Sequence, residues 1–162
     1  MGADTVIALA ATAIALASFW VSYSQTKAVQ SHNRQSVRPL LHVRRIKIDR
    51  DGTAGLQLTN AGLGPAIVTY SRARIDGEVL GEWNYHSQER LASGLPVRPG
   101  AHSMRQGAVL TPGQSVLLVY LEEFREEDHL WFWELITRRL VIEVGYESLY
   151  GGEKFLAAPP AF

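Results

Sequence analysis

Five histidines, His32, His42, His86, His102 and His129, are the side chains of this 162-residue chain best suited to metal ligation or proton transfer near neutral pH. Their spacing supports neither task. No two stand at the H-x3–5-H or HExxH intervals that put two imidazoles on one metal, and no local His/Asp/Glu cluster accompanies them. Cysteine is absent, which removes thiolate nucleophiles, Cys-type zinc sites and disulfides. Ser71 and Ser93 lack the GxSxG surroundings of a nucleophile elbow and any base at a local interval. Gly151-Gly152-Glu153-Lys154 lacks the GxxxxGK[ST] spacing of a phosphate loop and precedes no helix pattern, so it reads as a hairpin turn. The expectation is a chain that is not an enzyme, with no catalytic, cofactor-binding or metal-binding residues.

What remains are residues suited to contact. The run Asn60-Ala61-Gly62-Leu63-Gly64-Pro65-Ala66 could offer backbone N–H groups to an anion. Asn60, Gly62, Gly64 and Pro65 more simply describe a tight structural loop. Trp131, Phe132 and Trp133 are consecutive, and consecutive helical residues point ~100° apart, so all three cannot face one core. At least one ring is expected at the surface, where tryptophan favours partner contacts. Lys and Arg total 16, as do Asp and Glu, so the net charge is zero and nothing global calls for nucleic acid. The charge is nonetheless uneven. Lys27, Arg34, Arg38, Arg44, Arg45, Lys47 and Arg50 face only Asp49 in their stretch, whereas Glu122, Glu123, Glu126, Glu127 and Asp128 cluster later.

The element that must place all of these is the first one. Thr5–Val21 has no charge, proline or glycine, and at ~1.5 Å per residue it reaches ~26 Å, enough for a slightly thinned hydrocarbon core of ~30 Å. Thr5, Leu9, Ile14, Leu16, Phe19, Trp20 and Tyr23 mark the span, with the aromatic residues at its far end, where such rings settle at headgroup level. Its strong apolar residues supply about −3 kcal/mol of insertion free energy. Ala11/Ala15 and Ala13/Ala17 form small-xxx-small pairs that let another helix approach closely. A cleaved signal peptide is the rival reading, given Ala15-Leu16-Ala17, but Met1–Asp4 lacks the basic n-region such a peptide needs. Myristoylation would need Ser or Thr where Val6 stands.

Basic flanks stay in the cytoplasm, so the short N-terminal tail is expected to cross and the large domain to remain inside. Lys27, Arg34, Arg38, Arg44 and Arg45 would set this topology and meet anionic headgroups.

Beyond the span, Ser24–Val37 is polar, free of Gly and Pro, and continues the helix as a stalk that Pro39 ends. From Leu40 the apolar period becomes two. Leu41 and Val43 share one phase and Ile46 and Ile48 the other, which predicts a β-bulge at Arg44-Arg45 in an edge strand. Further strands are expected around Leu56–Leu58, Ile67–Ile75, Glu78–Leu80, Met104–Leu110, Val116–Leu121, Leu140–Tyr146 and Phe155-Leu156. Asp76-Gly77 signals a two-residue hairpin, and Pro99-Gly100 and Pro112-Gly113 signal type II turns. Glu82–Pro96 suggests a short helix within a loop. Glu122–Arg139 reads as one helix, acidic in its first turn and basic in its last.

Three stretches in order, His32-Asn33-Arg34-Gln35-Ser36-Val37-Arg38-Pro39, Asn60–Ala66 and Tyr146-Glu147-Ser148-Leu149-Tyr150-Gly151, resemble the HNRxSVRP, NxGxGPA and YxSxYG motifs of a family of small bacterial single-pass membrane-anchored β-sandwich proteins. The resemblance covers most of the chain. It implies membrane anchoring and a sandwich, and it carries no activity or ligand.

The expected molecule is mainly β. A transmembrane anchor (1–23) and a helical stalk (24–39) precede an immunoglobulin-like β-sandwich with one inserted helix (40–162). The expected role is an accessory or scaffold subunit of an integral membrane complex, with anionic lipid as a further contact and a homo-oligomer left open. The alternative is a membrane-tethered sensor whose sandwich binds a small ligand and controls oligomerisation.

Overall fold

Helix α1 runs without interruption from Ala3 to Ser36 in the computed structural model, which describes residues 2–47 and 52–160 and, within 30–36, the backbone alone. The expectations for Ile48, Asp49 and Arg50, and for the side chains of His32 and Arg34, lie outside the described residues. Residues 3–29 of α1 are apolar enough to cross a membrane, and none of the apolar window is buried. The chain divides into two compact units, Met1–Ser36 and Val37–Phe162.

Among the described residues the second unit contains nine strands in two antiparallel sheets. One sheet has the order β1 (Leu41–Ile46), β2 (Ala54–Asn60), β7 (Ser115–Leu121), β5 (Gly100–Ala101). The other has the order β4 (Glu78–Gly81), β3 (Ala66–Ile75), β8 (Leu140–Ser148), β9 (Lys154–Ala157), and β6 (Val109–Leu110) pairs with the start of β3. Alternation in the sequence explains the layering. Leu41 and Val43 of β1, Leu56 and Leu58 of β2, Val68 and Ala73 of β3, and Ile142 and Val144 of β8 all turn into one shared core. Trp83 is fully buried there, its indole N–H donating to the Leu118 carbonyl at 3.1 Å.

Among the described residues two helices interrupt the strands, the inserted helix expected after β7 and a short one within Glu82–Pro96, where the sequence suggested it. Helix α2 (Tyr85–Ala92) starts at Asn84, whose side chain accepts from the N–H groups of His86 and Ser87, and Ser87 Oγ returns a bond to Asn84. Helix α3 (Glu126–Glu134) continues into a π-helical turn (Leu135–Arg139) that delivers the chain to β8. The single long helix expected over Glu122–Arg139 is therefore shorter and changes pitch.

Other expectations also change. β1 pairs with β2 in unbroken register from Leu41↔Asn60 to Ile46↔Gly55, so there is no bulge at Arg44-Arg45. The irregularity falls one strand further in, between Leu56 and Gln57 against β7. Gly100 makes no turn. It lies in β5 against β7, where a Cβ would stand 2.3 Å from the Tyr120 ring, so this glycine serves close packing. The strand expected over Met104–Leu110 shrinks to β6, because Met104 is drawn aside by bonds to Trp83 and Ser71. Asp76-Gly77, by contrast, forms the expected two-residue hairpin, with φ of 52° and 86°. Pro112-Gly113 also turns as expected, with Gly113 at φ 77° and the Gln114 N–H donating to Thr111 O at 3.0 Å.

Candidate interaction surface

Chemistry is the first thing to test, and the histidines do not assemble. His42, His86 and His102 are exposed on separate elements and His129 is half-buried. Among the described residues no group of three or more His, Cys, Asp or Glu could hold a metal ion. Ser71 is buried, donating to Met104 O at 2.6 Å and accepting from Trp83 N at 3.1 Å, so its hydroxyl ties two loops to the middle of β3. Ser93 Oγ donates to Arg90 O within its own turn.

The α3 region gathers the sequence-selected aromatic residues. Its N-terminus has no side-chain cap. Instead the Arg125 N–H donates to His129 Nδ1 at 3.0 Å, and His129 itself departs from helical geometry (φ −121°, ψ 21°). Phe132, Leu135 and Ile136 face inward and are fully buried. Phe132 is thus core and cannot touch a partner, which removes the middle member of the expected trio. Trp131 and Trp133 remain half-buried, and Leu130 is 57% exposed. Leu130, Trp133, Glu134, Thr137 and Arg138 line a groove of about 440 Å³ on this outer face. The sequence marks Leu130 as part of the apolar side of this helix but not as an exposed neighbour of Trp133, although it lies one turn before it, the interval that makes helical neighbours.

The basic residues of β1 are partly committed to this region. Arg45 Nε donates to Ile136 O at 2.9 Å, one Nη to Thr137 O at 3.2 Å and the other to Pro160 O at 3.0 Å. A π-turn leaves carbonyls at its end without helical partners, and a guanidinium fork fits them. Burial lowers the pKa of this guanidinium. Lys47 bonds Glu126 at 2.7 Å and lies 5.7 Å from the Trp133 ring centroid. Arg44 bonds the side chain of Gln57. Arg44 and Arg45, with Lys27, Arg34 and Arg38, are the expected headgroup contacts. β1 carries the first two away from the point where the chain enters the domain, and Arg45 has a structural use.

At that entry point the three motif stretches meet. Asn60 is fully buried, and its side chain is saturated: Oδ1 accepts from Leu40 N (3.2 Å) and Gly62 N (3.0 Å), and Nδ2 donates to Gly64 O (2.8 Å) and Leu110 O (2.9 Å). Gly64 passes so close to the entering chain that a Cβ would stand 1.7 Å from Val37 O. The Leu41 N–H donates to the Tyr146 hydroxyl at 3.1 Å, and Arg38 lies over the Phe155 ring at 4.6 Å. Three of the loop's N–H groups are spent on the chain itself: Ala61 N donates to Leu40 O (2.8 Å), Gly62 N to Asn60 Oδ1 and Leu63 N to Arg38 O (3.2 Å). The geometry is that of a structural loop, with Pro65 leading into β3.

No protein-family model, curated protein or solved structure matches this chain.

Proposed function

We propose that this chain is a non-enzymatic, single-pass subunit of a larger inner-membrane complex, with its N-terminus outside and an immunoglobulin-like sandwich in the cytoplasm. The observation that carries the reading is α1. Its span residues Leu9, Ile14, Leu16, Phe19 and Trp20 are each more than half exposed, so their apolar surface has no occupant within the fold. A helix that is apolar all round is suited to lipid and to the helices of other membrane proteins. Two antiparallel sheets around one shared core, with the chain crossing between them at β2–β3, β4–β5, β5–β6, β6–β7 and β7–β8, support the sandwich, of which the immunoglobulin-like form is the proposed type.

The partner-binding face is the outer side of α3, with Leu130, Trp131 and Trp133 as anchors and Lys47 and Arg138 at the rim. This face lies at the end of the sheets remote from Val37, since α3 follows the end of β7 and precedes the start of β8. The partner therefore needs a part outside the bilayer. Lys27, Arg34 and Arg38 meet the headgroups. Purification of the tagged full-length chain in mild detergent is expected to yield one integral membrane protein at fixed stoichiometry. The Trp131→Ala/Trp133→Ala variant should lose that protein while remaining folded. Recovery of a lone chain or a homo-oligomer would overturn the proposal.

A further inference from the structure

The two ends of the strand-built unit differ sharply in chemistry. At the end remote from the chain entry lie Asp76, Glu78, Arg125, Arg138, Arg139 and the acidic run Glu122–Asp128. At the entry end lie four segments: the entering chain 37–40, the β2–β3 loop 61–65, the β6–β7 turn 111–114 and the β8–β9 turn 149–153. Hydrogen bonds and pairing hold them together. Ala61 and Leu63 bind the entering chain, Gly113 N donates to Asn60 O at 2.8 Å, and Ala66 stands opposite Ser148. Within these four segments the only acid is Glu153, and it is paired with Arg38.

This weakly charged end displays apolar side chains at its tips. Leu63 is 76% exposed and Leu149 66%, with Tyr150 and Leu40 also exposed. Single exposed leucines need no explanation, but an apolar group on two adjacent loop tips, at the end without free acids, does. The length of chain between span and domain identifies what is near. The apolar part of α1 ends at Val29, and only residues 30–36 separate it from Val37. As helix that connection spans ~12 Å, comparable to the headgroup layer beside a ~30 Å hydrocarbon core.

We propose that this end of the domain is a lipid-contacting surface. Leu63, Leu149 and Tyr150 insert into the headgroup region of the same bilayer that holds α1, with Arg38 and Lys154 beside anionic phosphates. The proposal rests on the reading of α1 as a membrane span. Charge placement suits it: the acidic run stands at the other end of β3, whose ten residues extend ~33 Å, beyond the reach of an anionic surface at a Debye length of ~8 Å.

The absence of cysteine makes the test direct. Full-length single-cysteine variants Leu63→Cys, Leu149→Cys, Tyr150→Cys, Ala11→Cys and Glu127→Cys are labelled with a polarity-sensitive fluorophore. Each is then reconstituted at low protein-to-lipid ratio into vesicles of phosphatidylethanolamine and phosphatidylglycerol containing nitroxide lipid, labelled in the headgroup region for positions 63, 127, 149 and 150 and at mid-chain for position 11. The expected result is loss of fluorescence at positions 11, 63 and at least one of 149 and 150, with none at 127. Quenching at 11 with positions 63, 149 and 150 as bright as 127 would overturn the proposal and leave the anchor reading standing. Blue-shifted but unquenched emission at the tips would mean that a second copy covers them and would also overturn it. No quenching at 11 would overturn both readings.

Discussion

Asn60 satisfies four backbone groups with one buried amide, and this sets its weight in the fold. Asn60→Ala strands those groups, each unsatisfied buried partner costing ~1–3 kcal/mol, so a loss of at least about 2 kcal/mol is expected in chemical denaturation. Asn60→Asp should be at least as harmful, because an acceptor would then face the carbonyls of Gly64 and Leu110. The loop containing Asn60 was legible as a turn from its two glycines and proline. Its partners, twenty and fifty residues away along the chain, were not, because local spacing carries no information about long-range approach. Asp76 offers a pH test at the same scale. Its hydrogen bonds to Arg139 hold its carboxyl below the usual aspartate range. A depressed carboxylate pKa contributes stability that is full above its unfolded value, about 4, and is lost as pH falls through the folded one. Asp76→Asn should therefore flatten stability against pH below about 4 and change little of that slope near neutrality.

Among the elements, those specified by alternation or by paired turn residues match the sequence reading: β2, β3, β7, β8 and the Asp76-Gly77 hairpin. The departures share a cause. Pro99-Gly100 looks like a turn, yet the Tyr120 ring requires a bare backbone opposite it. The apolar phase change after Arg45 looks like a bulge, yet Arg45 reaches the carbonyls of the π-turn while β1 keeps its register. In each case a tertiary contact decides, and tertiary contacts are not periodic. Element α3 supplies a sharp contrast. Phe132→Ala removes a fully buried ring and should cost about 3–5 kcal/mol in stability. Trp133→Ala removes a half-buried ring from the outer face and should cost less, so melting of the two variants separates core from surface. If Trp133→Ala melts as low as Phe132→Ala, the outer face is structural and not a docking site.

At the scale of the whole molecule, the long apolar helix was legible from composition alone, whereas the use of the domain rests on geometry. The candidate surface was legible only in part: three aromatic residues were visible, but which of them is buried depends on how α3 packs. Insertion of α1 is favoured by about −3 kcal/mol, and an arginine at the helix centre costs about 2.5–3.5 kcal/mol. These nearly cancel, so Ala13→Arg is expected to move a substantial part of the chain from the carbonate-resistant membrane fraction to the soluble one. The complex-subunit and lipid-contact proposals both depend on one arrangement, an uncleaved span with the sandwich on the cytoplasmic side. The most direct measurement is labelling of Gly2→Cys and Glu127→Cys variants in intact spheroplasts with a membrane-impermeant maleimide. Position 2 is expected to react from outside and position 127 only after lysis. Reaction of position 127 in intact spheroplasts, or a released chain whose N-terminus begins after Ala17, would contradict that arrangement.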